Sequence, residues 1–244
     1  SDVNIAWRPP SINELYSRGL HHGTASVEYG NSNFNSEKGY KWVNSLTHSG
    51  DRLHINLSGY VNYINGYIFL EPTGAFETSL RGTFPVFNYT QSNALFLGAD
   101  FWGSYELSPS LSWRLKGSYL RAKDTRNNSF LPMIPTDRVD NTLTWKIKQP
   151  AEKDLYAPFV ELQHLYVANQ HRYNPSSDFA APPASYHLLN ISGGVNFKIN
   201  EQYLGINASV FNLLNTAYKD YLNRFRYYAH ENGRNFVIRI SYKF

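Results

Sequence analysis

The chain contains no cysteine, which excludes disulfide staples, thiol nucleophiles and Cys-based zinc sites. Charge is sparse: only 17% of residues are Asp, Glu, Lys or Arg, and the net charge is +4. The basic residues are scattered through the chain rather than clustered, which speaks against a nucleic-acid partner. There is no apolar run of about 18 residues, so no transmembrane helix is expected. The first residues, Ser1-Asp-Val-Asn-Ile, show neither a basic n-region nor an apolar h-region, so no signal peptide is expected at this start. G-x-S-x-G, H-E-x-x-H and glycine-rich phosphate loops are all missing. Asp100 and Glu106 share a strand parity but lie about 20 Å apart along an extended chain, too far for a carboxylate pair. No enzyme activity and no resident cofactor are expected.

Aromatic residues are what the chain has in abundance, with 19 Tyr and 15 Phe. The last eleven residues, Arg234 to Phe244, show how they are used. Phe236, Ile238, Ile240, Tyr242 and Phe244 share one parity, and Asn235, Val237, Arg239, Ser241 and Lys243 share the other. Successive side chains of a strand point to opposite faces, so one face is apolar and the other polar and basic. The pattern recurs. Leu189, Ile191, Gly193, Val195 and Phe197 alternate with polar residues, as do Leu204, Ile206, Ala208 and Val210. So do Leu53, Ile55, Leu57, Gly59 and Val61; Leu97, Ala99, Phe101, Gly103 and Tyr105; Trp113, Leu115 and Gly117; and Leu143, Trp145 and Ile147. Helical spacing competes only in Ser11–Gly19.

Connections alternate in length. Ser49-Gly50-Asp51, Ser108-Pro109-Ser110, Gln149–Asp154 and Asn200-Glu201 read as tight turns. Pro9–Asn35, Glu71–Pro85, Thr125–Asp137, Gln170–Ser185 and Lys219–Gly233 read as long loops. Short periplasmic turns alternating with long extracellular loops are the rhythm of an up-and-down outer-membrane barrel. The mean hydropathy of −0.46 is compatible, because half of each barrel strand faces a polar lumen. About ten strands are expected on this template. A final strand rising roughly 3.3 Å per residue and tilted near 45° covers about 25 Å of height, which matches a lipid band. The competing fold is a secreted β-sandwich or β-helix. Its buried face would favour Val, Ile and Leu, whereas the apolar parity here includes Gly59, Gly103, Gly117 and Gly193 and carries aromatics toward strand ends.

Three segments resemble the TonB-dependent outer-membrane receptors in their C-terminal half. Trp7-Arg-Pro-Pro-Ser-Ile-Asn-Glu-Leu-Tyr16 looks like the family's "FRAP…ELY" signature, with Trp7 and Pro9 in place of the usual Phe and Ala. Tyr29-Gly-Asn-Ser-Asn-Phe-Asn-Ser-Glu37 looks like "GNPNLKPE", with Ser32 where Pro is common. Val210-Phe-Asn-Leu-Leu-Asn-Thr-Ala-Tyr218, followed by a loop and a strand ending in Phe244, looks like the C-terminal signature. The likeness spans residues 1–244 and implies an all-β, antiparallel transmembrane segment of a barrel of about 22 strands. The plug domain and the first half of that barrel are then absent from this sequence. The resemblance implies energised import, across the outer membrane, of an iron–siderophore, haem or another metal chelate. Carbohydrate-importing members of the family remain alternatives. The implied partners are TonB–ExbB–ExbD, acting through the missing N-terminal region, and the barrel-assembly machinery, which would recognise the strand ending in Phe244. A passive porin-like or structural barrel is the competing function, and an outer-membrane enzyme built on a barrel is a third.

His21 and His22 lie in the loop where haem and some metal receptors of this family carry a ligand, and together are candidates for metal or haem iron. Arg224, Arg226, Tyr228 and His230 occupy the last long loop. Arginine beside tyrosine suits an anionic aromatic ligand such as a catecholate complex, through charge-assisted bonds and stacking. His171 and Arg172 repeat that composition in another loop, whereas Tyr218 and Tyr221 read as interfacial girdle. Arg52, Arg114, Lys116, Lys146, Lys198, Arg239 and Lys243 keep to the polar parity, as they must, since a charge facing lipid costs about 2–4 kcal/mol at the midplane.

Overall fold

The computed structural model describes residues 1–148, 155–199 and 202–243. In chain order the elements are β1 (Asp2–Arg8), α1 (Ile12–Tyr16), β2 (Arg18–His21), a 3-10 turn (His22–Thr24), β3 (Ser26–Tyr29), β4 (Glu37–Ser49), β5 (Leu53–Ser79) and β6 (Gly82–Ser108). There follow β7 (Leu111–Asp124), β8 (Ser129–Phe130), β9 (Arg138–Lys146), β10 (Leu155–Val167), β11 (Tyr186–Ile199), β12 (Gln202–Phe211), a second 3-10 turn (Arg224–Tyr227) and β13 (Asn235–Lys243). The wall runs in the order β1-β4-β5-β6-β7-β9-β10-β11-β12-β13, each neighbour antiparallel to the last. These are the ten strands the parity and turn pattern lead one to expect. Among the described residues β1 and β13 each pair on one side only, so the described wall is an open arc. The expected turns at Gln149–Asp154 and Asn200-Glu201, and the terminal Phe244, lie outside the described residues.

Register carries one apolar face across the whole arc. Ile238 pairs with Ala208, Ala208 with Gly193, and Gly193 with Val160. Val160 pairs with Trp145, Trp145 with Leu111. On the other side Gly117 pairs with Phe101, Phe101 with Leu57, and Leu57 with Leu46. Directly opposed residues share a face, so the alternation visible in each strand adds up to a single sheet-wide surface. Ile5, Trp42, Leu46, Phe236, Ile238 and Ile240 on that surface are all exposed. A water-soluble sheet would have to cover such a face, and a membrane wall turns it to lipid. The opposite face pairs Arg239 with Asn207 and Lys116 with Asp140, and sets Arg114 3.6 Å from Glu161.

Burial sits at one end. Every buried apolar side chain among the described residues (Val27, Ile68, Phe87, Ala94, Ala122, Leu131, Ile134, Val167, Tyr186, Leu188 and Tyr221) lies in the long-loop half of the fold. Leu131 and Ile134, from the loop after β7, fold onto Ala94 and Ala122 of the wall, with Tyr67, Phe69, Phe96 and Leu120 around them.

Two local features differ from a plain meander. At Gly66 (φ +70°) β5 carries an extra residue, so the register jumps from Ile64–Ala94 to Tyr67–Ser92. A glycine takes this left-handed conformation without a Cβ penalty, and the bulge exchanges the parity of everything above it. Second, Glu71–Pro85 is not a loop. β5 and β6 continue as a ladder to Ser79–Gly82, broken only between Pro72 and Phe76. Pro72, Gly74 and Pro85 give that stretch the composition of a loop, but a bulge tolerates a proline that cannot donate. Thr73 mends the gap by donating its hydroxyl to the Val86 carbonyl at 2.8 Å.

Candidate functional site

The first long loop is anchored before it reaches its histidines. Ser11 caps α1 and shares a capping box with Glu14: the Ser11 N–H donates to the Glu14 carboxylate at 2.6 Å. Arg8, closing β1, forks onto Glu14 at 2.9 Å and onto Glu37, the first residue of β4, at 2.8 and 3.0 Å. Glu37 also accepts the Ile68 N–H at 2.7 Å, beside the bulge in β5. Burial works to raise the Glu14 carboxyl, but the Arg8 fork and the Ser11 N–H overcome it and hold the group below the usual range. The two acidic residues belong to the two signature segments, so one arginine ties both ends of the loop to the wall.

Beyond α1 the loop forms the β2–β3 hairpin, and β3 adds in parallel to β6 through Val27–Val86, Glu28–Phe87 and Tyr29–Asn88. This brings Glu28 under the last loop. Glu28 is nearly buried, and its Oε1 receives Arg224 Nη1 at 2.6 Å. The Tyr228 hydroxyl donates to the Ala25 carbonyl at 2.8 Å. Residues about two hundred positions apart therefore meet.

The loop after β10 and the β5–β6 hairpin pack beside them. The Arg226 guanidinium is buried against Asp178 at 2.6 Å, between the rings of Tyr221 and Tyr227. The Tyr227 hydroxyl donates to the same carboxylate at 2.7 Å, and its burial pushes its pKa up. Phe179 bridges Phe76 and Phe87 of the β5–β6 hairpin to Tyr227. Between α1, β2, β3 and β6 a cleft of about 770 Å³ stays open, with Tyr16, Arg18, Tyr29, Asn31, Asn88 and Tyr89 among its lining.

The candidate residues distribute unevenly over this cap. His21 and His22 are both exposed but take different partners. His21 Nδ1 lies 2.7 Å from Thr24 Oγ1 and 3.4 Å from Glu28, whereas the His22 ring lies 3.2 Å from Arg81 at the tip of the β5–β6 hairpin. Arg224 and Tyr228 join His21 around β3. Arg226 is buried in its ion pair. Arg172 stands 3.9 Å from Asp137, and His171 and His230 are exposed. Among the described residues no group of three or more His, Asp or Glu side chains converges as a metal centre. Glu28 and Asp178, the two carboxylates on which the loops turn, were not singled out from sequence. Neither carries a local signal, because the partner of each is supplied by another loop.

The chain matches the family model described as TonB dependent receptor-like, beta-barrel, over residues 4–213. Among solved structures it is similar to the copper transporter OprC, at 21% identity and a TM-score of 0.77, over 99% of this chain and 36% of that one. A variant of the ferric enterobactin receptor PfeA from Pseudomonas aeruginosa aligns at 15% identity and a TM-score of 0.66, over 98% of this chain and 37% of that one. The FrpB iron transporter from Neisseria meningitidis gives 15% and 0.66, over 99% and 36%. The chain thus spans little more than a third of the length of the solved structures it matches.

Proposed function

Because this chain belongs to the TonB-dependent receptor-like β-barrel family, we propose that it supplies part of the wall and the extracellular cap of an outer-membrane receptor importing a metal-bearing chelate. The observation that carries this reading is the placement of buried structure. The lipid-facing wall has no interior of its own, while the long loops fold into an ordered cap holding histidine, arginine and tyrosine side chains. A passive pore has no need of a cap whose loops are locked together by ion pairs. A receptor does, because its ligand contacts must be held in place before the ligand arrives.

In this reading His21, His22, Arg224 and Tyr228 contact the chelate, with His171, Arg172 and His230 at its periphery and Arg226 holding the loops that present them. The open cleft at Arg18, Tyr16, Tyr29 and Tyr89 suits the anionic oxygens and flat rings of an iron–siderophore. Haem is the alternative cargo that the histidines favour. The names of the solved relatives, a copper transporter and a ferric enterobactin receptor, agree with a metal-bearing cargo. TonB–ExbB–ExbD would act through the N-terminal part of the same receptor, and the barrel-assembly machinery through the C-terminal strand.

Uptake of radiolabelled metal chelates in a strain whose only receptor carries this chain tests the proposal. Import should stop when TonB is deleted; flux that persists without TonB would instead identify a passive pore. Should haem be the cargo, His21→Ala combined with His22→Ala abolishes haem-dependent growth.

A further inference from the structure

Glu28 is a carboxylate out of water whose needs are met almost entirely by one neighbouring cation. Its side chain is 6% exposed. Arg224 Nη1 approaches Oε1 to 2.6 Å. The remaining contacts are loose: Ser26 Oγ at 3.3 Å and Thr24 Oγ1 at 3.4 Å from Oε1, and Tyr89 Oη at 3.4 Å from Oε2. On the solvent side stands His21, 55% exposed, with Nδ1 3.4 Å from the same Oε1 and 2.7 Å from Thr24 Oγ1. With its proton on Nε2, the imidazole would present the Nδ1 lone pair to this ring of oxygens.

The spacing is that of two ligands on one ion. Nitrogen and oxygen donors bound at about 2.0–2.2 Å in tetrahedral geometry stand roughly 3.4 Å apart. Imidazole with carboxylate is a donor set that suits Zn2+ and Cu2+. We infer that His21 and Glu28 form a divalent-cation site, which Arg224 guards by placing its own positive charge on the shared carboxylate. The inference rests on the reading of this cap as the ligand-facing mouth of a receptor. A dication entering between Nδ1 and Oε1 takes over the carboxylate that Arg224 holds. The bond from Tyr228 to the Ala25 carbonyl is then the principal tie left between the last loop and the β2–β3 hairpin. Cation binding and loosening of the last loop are thus one exchange of partners on Glu28.

The test uses the complete receptor carrying this chain, purified in detergent, with the metal alone as probe. Zn2+ is titrated by calorimetry and Cu2+ is followed by electron paramagnetic resonance. Glu28→Gln should lose one equivalent of bound metal. His21→Ala should lose one nitrogen from the Cu2+ superhyperfine pattern. Arg224→Ala should bind more tightly than wild type, because the competing charge is gone, while Arg224→Lys should stay near wild type. Unchanged stoichiometry in Glu28→Gln, or weaker binding in a folded Arg224→Ala, overturns the inference. If Arg224→Ala does not assemble, the other two variants still decide the matter. TonB-dependent chelate uptake, measured in parallel, separates the two levels: uptake with no metal at Glu28 refutes only this site, whereas no energised uptake refutes the receptor reading itself.

Discussion

Asp178→Asn offers the sharpest test of how the cap is held. The Arg226 side chain is 1% exposed and that of Asp178 7%, so the pair has left water almost completely. Arg226 Nη2 sits 2.6 Å from the carboxylate, and the Tyr227 hydroxyl occupies the other oxygen at 2.7 Å. Beyond these, the guanidinium's further hydrogen bonds among the described residues are to the Tyr227 hydroxyl at 3.1 Å and the Ala180 carbonyl at 3.4 Å, and its Nε has no hydrogen-bond partner among them. Asparagine keeps the shape, removes the charge, and turns an amide toward a donor. Breaking a buried pair from one side costs about 3–5 kcal/mol, because the remaining charge is uncompensated. That cost falls on the loops rather than the wall. The assay is hydrogen exchange of the Arg226, Tyr228 and Ala229 amides, which close the second 3-10 turn on Asn223 and Phe225. At about 1.4 kcal/mol per decade, exchange there should accelerate by about 10²-fold or more, while the β12–β13 ladder stays protected. The double variant Asp178→Asn with Arg226→Met should be less damaged than the sum of its singles, since no lone charge is left. Additive singles, or exchange in Asp178→Asn within a few-fold of wild type, would show that the pair does not hold the cap.

Three other perturbations probe the first loop, the faces of the wall and the bulge. Because the folded Glu14 carboxyl is held below its ordinary range, its contribution is present above the unfolded carboxylate pKa of about 4.3 and is lost as pH falls through the lower folded value. Protection of the Ser11–Ser17 backbone should therefore decline in acid, and Glu14→Gln should flatten that decline. Ile238→Arg turns a charge to lipid near the middle of β13 and should cost about 2–4 kcal/mol in urea titrations of vesicle-embedded receptor. Arg239→Ala, on the opposite face, should cost far less, and equal costs would refute the assignment of faces. Gly66→Val forces a β-branched residue to φ +70° and brings its Cβ within 3.1 Å of the Gln91 amide that clamps the bulge. Exchange protection should be lost over residues 67–92 and kept elsewhere, with a milder loss for Gly66→Asn.

How much of this was legible depended on the distance over which the cause acts. Parity is a nearest-neighbour property, so the strand run of Leu53, Ile55, Leu57 and Gly59 could be read directly, and the ladder then matched apolar face to apolar face. The single helical stretch near Ser11–Gly19 was visible for the same reason, since its capping box spans only four residues. The β5–β6 extension was hidden by composition. Pro72, Gly74 and Pro85 are loop residues by local rules, and only the partner strand shows that the ladder resumes at Phe76. Among the candidate ligands, Arg224 and Arg226 are near-identical in sequence context, two residues apart on one short turn. Their roles separate only because Glu28 awaits one at the mouth and Asp178 encloses the other.

The chain is built for two solvents. The wall exposes Ile5, Trp42, Phe236 and Ile240, so its apolar face is completed by lipid. The cap buries Val27, Phe87, Leu131 and Tyr221 and neutralises its enclosed charges in pairs, as a small water-soluble domain does. A perturbation of one need not reach the other, since lipid does not solvate the cap and the loops do not close the wall. The long β5–β6 ladder belongs to both: its lower half carries Leu57 and Phe101 on the lipid face, and its upper half carries Phe76 and Phe87 against Phe179. The Gly66 bulge lies where these halves meet, and Glu37, held by Arg8, is bonded to Ile68 just beyond it. The Gly66 bulge and the Arg8–Glu37 fork are therefore the points at which the cap is joined to the wall.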